Sequence, residues 1–63
     1  MTNLPTPYAA ARIAAFVSAH LCWSVFWDKQ AGLWRAAEDD PDSDLCVQSP
    51  DADVVIRYMA AHS

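Results

Sequence analysis

Gly32, the one glycine of this chain, does most to limit what it can fold into. It separates two runs of strand-forming residues. Cys22-Trp23-Ser24-Val25-Phe26-Trp27 comes before it, then the polar stretch Asp28-Lys29-Gln30-Ala31, and Leu33-Trp34-Arg35-Ala36-Ala37 follows. Aromatic and β-branched residues suit a pleated, half-buried surface. Glycine takes up a left-handed backbone without steric cost, and a hairpin loop of about three to five residues closes on such a position. The expectation is a β-hairpin with Gly32 at the end of its loop. The rival is a helix from Asp28 to Glu38. It would carry Gly32 in its interior, at about 1 kcal/mol relative to alanine, and would set Glu38, Asp39 and Asp40 against the negative end of its dipole.

Register decides which side chains share a face, because a slip of one residue exchanges the two faces. Pairing Trp27 with Trp34 sets Val25 opposite Ala36. Trp23, Val25, Trp27 and Trp34 then form one aromatic face able to receive helices, with Phe26 and Arg35 on the other. The expected core centres on Trp27 and Trp34, with Phe16 or Ile56 packed on them.

Two helices flank the hairpin. Thr6-Pro7 and Ser49-Pro50 are matching start signals: a hydroxyl caps free backbone N–H groups, and proline suits the first helical position. After Thr6, the residues Ala9, Ile13, Phe16, Val17 and His20 recur on one helical stripe, so the first helix is read from Pro7 to His20. After Ser49, Asp51 and Asp53 fall in the favourable first turn, and Ala52, Val55, Ile56 and Met59 form the apolar stripe. Asp53 and Arg57 stand at the spacing of a helical ion pair. The competing strand through Val54-Val55-Ile56 gives way to the cap, the early acids and the alanine-rich tail.

Glu38 to Asp44 reads as an acidic loop containing Pro41, and Leu45-Cys46-Val47-Gln48 as a short third strand. The fold class is α+β: a three-stranded antiparallel meander with two helices packed on one face, in the order α-β-β-β-α. Residues 1–63 are expected to form a single domain, with 1–6 as an N-terminal tail, 38–44 as the acidic loop, and no internal repeat or interdomain linker.

A domain this short buries only about 60% of the surface its unfolded chain exposes. Yet 54% of its 63 residues are hydrophobic, so apolar surface is expected to stay exposed, and such surface usually meets another protein. The first helix presents Ala10, Ala11, Ala14, Ala15 and Ala19 away from its stripe. That surface leaves a symmetric homodimer open, although alanine exposes little apolar area and stays in water at small cost. The longest uncharged run, Ile13 to Trp27, is shorter than the ~20 residues of a membrane-spanning helix. With no basic n-region and two cysteines, a reduced cytoplasmic setting is the expectation.

Candidate chemistry is sparse. Asp40, Asp42, Asp44 and Asp51 fall at positions 1, 3, 5 and 12 of a calcium-loop spacing. Leu45, however, stands where that loop needs glycine, and Pro41 stiffens the turn. A solvated connection with side-chain-to-backbone turn bonds is the simpler reading. His20, Cys22, Cys46 and His62 do not have the paired spacing of a zinc site, and cysteine in a small domain serves as a buried hydrophobe. In a meander the first and third strands are about 9–10 Å apart, too far for a Cys22–Cys46 disulfide. Neither cysteine has an evident positive neighbour to activate it, and one glycine cannot build a phosphate loop.

The element order is also that of double-stranded-RNA-binding domains, a likeness of order and not of sequence. Those domains meet phosphates with basic residues at the start of their last helix. Here that stretch reads Ser49-Pro50-Asp51-Ala52-Asp53, in a chain of formal charge −4, so direct nucleic-acid binding is disfavoured.

The sequence therefore points to a small acidic, non-enzymatic protein-binding module: a regulator or inhibitor that occupies a partner's surface. Its candidate binding residues are Glu38, Asp39, Asp40, Asp42, Asp44, Asp51 and Asp53. No catalytic residue, metal ligand or cofactor is expected. One alternative is a nucleic-acid mimic whose carboxylates block a basic nucleic-acid-binding protein. Another is a metal-dependent switch or small enzyme. The plainest is a stand-alone domain whose tryptophans are all core.

Overall fold

A computed structural model of the chain describes residues 4–62. Residues 1–3 of the expected tail lie outside the described residues. The elements are α1 (Pro7–Ala19), β1 (Trp23–Asp28), β2 (Leu33–Glu38), β3 (Cys46–Ser49) and α2 (Ala52–Ala61). The three strands form one antiparallel sheet in the order β1-β2-β3, and both helices pack on the same face of it.

The start of α1 follows the sequence signal. Thr6 Oγ1 accepts the Ala9 N–H at 3.1 Å and Pro7 takes the first turn. The helix stops one residue short of the expected His20, which instead caps it by donating its backbone N–H to the carbonyls of Phe16 and Val17. Helix α2 starts differently from expectation. Its cap is Asp51, not Ser49, with the Asp51 carboxylate accepting the Asp53 N–H at 2.9 Å. Ser49 ends β3, and its hydroxyl accepts the Asp51 N–H at 3.1 Å, closing a turn one step upstream. A serine and an aspartate two residues apart are both competent caps; the strand retains Ser49, so the helix starts from Asp51.

The hairpin forms in the expected register, with Trp27 opposite Trp34 and Val25 opposite Ala36. Gly32 has φ 70°, the left-handed position that closes the loop. Its N–H reaches the Asp28 carbonyl at 2.8 Å, while Asp28 Oδ1 accepts the N–H groups of Gln30 and Ala31 at 3.0 and 3.1 Å. One aspartate thus organises the whole turn. Strand β2 extends to Glu38 and β3 begins at Cys46, so the acidic connection runs from Asp39 to Leu45. Glu38 belongs to the sheet, where its N–H bonds the Leu45 carbonyl at 3.2 Å.

Ile13, Trp23, Trp34, Ala36, Ala52, Val55 and Met59 make the core between sheet and helices. Val55 and Met59 are fully enclosed, and burying a side chain of that size contributes about 1.5–3 kcal/mol. Two expectations are corrected here. Trp27 lies against Trp34 as expected but is only half-buried, and Trp23 is the tryptophan buried in the core with Trp34. Tyr58 on α2 reaches Trp23 edge to face at 6.2 Å, whereas Trp27, nearer the hairpin turn, is half-buried and meets Trp34 at 5.2 Å. Asp53 pairs with Arg12 of α1 rather than with Arg57 one turn along its own helix, so the ion pair ties the two helices together. Ala10 turns toward the core, while Ala11, Ala14, Ala15 and Ala19 are exposed. Among the described residues, no helix is long and apolar enough to cross a membrane.

Candidate functional site

With both helices on one face, the opposite face of the sheet is uncovered. The strand period places its side chains in three rows across the strands. Small residues make one row, Ser24–Ala37–Cys46. The next is taller, Phe26–Arg35–Gln48, and Asp28–Leu33 lies beyond it toward the hairpin turn. Phe26 is 58% exposed. Between the first two rows lies an open depression of about 570 Å³, lined chiefly by Ser24, Phe26, Arg35, Ala37, Cys46 and Gln48. Phe26, Ala37 and Cys46 supply its apolar surface. A small-molecule site of that volume normally encloses most of its ligand; this depression is open to solvent and suits a surface that lies across it.

Arg35 is held flat against the sheet. Its Nε donates to Asp28 Oδ2 at 2.9 Å on β1, and its Nη1 donates to Gln48 Oε1 on β3. The backbone bond from Ala31, then Arg35 beside it, holds the Asp28 carboxyl below the usual aspartate range. At the other end of the face, Ser24 Oγ donates to Asp39 Oδ1 at 2.6 Å, and the Asp39 N–H bonds the Cys22 carbonyl at 2.6 Å. These bonds fix the start of the acidic connection against the row of small residues.

The seven acids read from the sequence do not form one group. Asp51 is spent on the α2 cap and Asp53 on Arg12, both on the helical side. Asp39, Asp40, Asp42 and Asp44 lie in the β2–β3 connection, Glu38 ends β2 on the Trp23 face, and none of the five has an ion pair among the described residues. Asp40 Oδ1 accepts the Asp42 N–H at 2.9 Å and the Asp40 carbonyl accepts the Ser43 N–H at 2.9 Å, so the loop folds on its own turn bonds. Asp40 and Asp51, the first and last positions of the calcium spacing, are thus both engaged with backbone. Among the described residues no three histidine, cysteine or acidic side chains converge as metal ligands would. His20 stacks on Phe16 at 4.1 Å and His62 lies over Tyr58 at 4.4 Å, each at the end of its own helix. Cys22 and Cys46 are exposed free thiols, not the buried hydrophobes expected of cysteine in so small a domain.

The candidate binding residues read from the sequence are all acids and include none on the outer face of the strands. The signal was there: alternation along β1 puts Ser24, Phe26 and Asp28 outward, and Phe26 breaks an otherwise polar set. No family model, curated protein or solved structure matches the chain.

Proposed function

We propose that this chain is a small acidic, non-enzymatic protein-binding module, a regulator or inhibitor that acts by occupying a partner's surface through the outer face of its sheet. One observation carries the reading. A large aromatic side chain, Phe26, sits in the middle of an uncovered sheet face where its strand neighbours are polar, beside a depression with an apolar floor. Antiparallel sheets often turn one face to water, but that face is then polar.

The test compares Phe26→Lys with Ala15→Glu, a substitution on the exposed alanine surface of α1. Each purified protein is used to recover partners from cells of the native source, and the complex is rebuilt from purified components. Loss of a stoichiometric complex with Phe26→Lys, and its retention with Ala15→Glu, supports the reading. A complex indifferent to Phe26→Lys sinks it.

The second reading, a nucleic-acid mimic, draws on the five unpaired carboxylates of Glu38, Asp39, Asp40, Asp42 and Asp44. It predicts a complex that weakens steeply with salt and is displaced by duplex DNA or RNA, with little contribution from Phe26.

A further inference from the structure

The arrangement of charge around the outer face narrows the partner's chemistry, and the step rests on the docking reading above. At the hairpin-turn end, Asp28 is neutralised by Arg35. At the opposite end stand the carboxylates of Asp39, Asp40, Asp42 and Asp44, without an ion pair among the described residues, with Asp39 fixed to the face through its bond from Ser24, while Glu38 shares the face of Trp23. The depression is lined by Phe26 and by Arg35, whose charge Asp28 balances, and its Ser24 edge adjoins Asp39 at the start of the acidic connection. A second copy of this chain, also of charge −4, would bring like charge to that edge. An acidic or neutral partner would leave the carboxylates desolvated and unpaired, which is costly.

We infer that the outer face receives a cationic amphipathic helix of a partner protein, with its apolar stripe over Phe26, Ala37 and Cys46 and its lysines or arginines against Asp39, Asp40, Asp42 and Asp44. The row of small side chains lets a helix approach the sheet closely. Phe26 provides the kind of aromatic anchor that dominates such contacts. The acidic connection sets orientation and speeds encounter more than it holds the complex.

The probes are two synthetic helical peptides of about 14 residues, near the upper end of the usual helix length in globular proteins. Both carry the same leucine stripe. In one it is flanked by lysine and arginine, in the other by glutamate. Calorimetric titration gives affinity, and amide chemical shifts give the site. The cationic peptide should bind with shifts centred on Ser24, Phe26, Ala37 and Cys46. Phe26→Ser should weaken it at least about tenfold, while Tyr8→Ser, which removes an exposed aromatic on α1, should leave it unchanged. Combined Asp40→Asn, Asp42→Asn and Asp44→Asn should weaken it several-fold and flatten its salt dependence. Asparagine at position 40 keeps the turn-forming acceptor, so the loop stays folded, and thermal melts of each variant check the fold.

Equal binding of the glutamate-flanked peptide overturns the inference. So does failure of the cationic peptide to bind, equal loss from Phe26→Ser and Tyr8→Ser, or a Phe26-dependent dimer of the chain alone in sedimentation equilibrium. In those cases a native complex that still depends on Phe26 leaves the docking reading standing. A native complex indifferent to Phe26 removes both.

Discussion

Trp23→Ala is the most severe test of the packing. Trp23 is 2% exposed, at the head of β1, with Tyr58 edge-on above it. A tryptophan buries about 150–250 Å², and at about 25 cal/mol per Å² nearly full burial corresponds to roughly 4–6 kcal/mol. Alanine recovers little of that, and measured truncations of buried aromatics cost about 3–5 kcal/mol. A domain of this length has a total stability of only about 3–9 kcal/mol. Trp23→Ala should therefore unfold the chain at room temperature or leave it barely folded. Trp27→Ala, at a half-buried position, should lower the melting temperature yet leave a cooperative transition. Thermal denaturation by far-ultraviolet circular dichroism, with urea titration at a fixed temperature, reads both. If Trp23→Ala melts within a few degrees of the parent, or if Trp27→Ala is the more damaging, the order of burial along β1 argued above is wrong.

Three further outcomes follow from local geometry. Asp51→Ala should cost about 1 kcal/mol through loss of the α2 cap, and Ser49→Ala clearly less; equal losses in chemical denaturation would return the cap to Ser49. Gly32→Ala forces a Cβ into a left-handed backbone and should destabilise by about 1 kcal/mol or more, so an unchanged urea midpoint contradicts the hairpin closure. Asp28 has a depressed pKa in the fold, so its contribution is present above the ordinary aspartate value and is lost as pH falls through the lower folded value. Asp28→Asn should thus lower the melting temperature at neutral pH, and the gap to the parent should close in strong acid; a gap independent of pH would deny that the charge matters.

Much of this architecture is local and was legible in the residues alone. Thr6-Pro7 starts α1 because a hydroxyl and a proline act within one turn. Gly32 closes the hairpin because only a left-handed residue fits there, and the strand period then carries the Trp27–Trp34 register along both strands. The stripe of Ala52, Val55 and Met59 marks the buried side of α2 through helical periodicity. What tertiary structure decided depends on partners far apart in the chain. Arg12 takes Asp53 from Arg57 because the two helices pack side by side. Ser49 is kept by the strand, which moves the α2 cap to Asp51. Trp23 is buried more deeply than Trp27, and α2 brings Tyr58 edge-on against it. The candidate site belongs to this second class. Alternation puts Phe26 opposite the tryptophans, but only the docking of both helices on the tryptophan face leaves Phe26 in water beside the acidic connection. Short-range sterics and periodicity specify elements and their faces; which face is covered is a free-energy choice made by the whole chain at once.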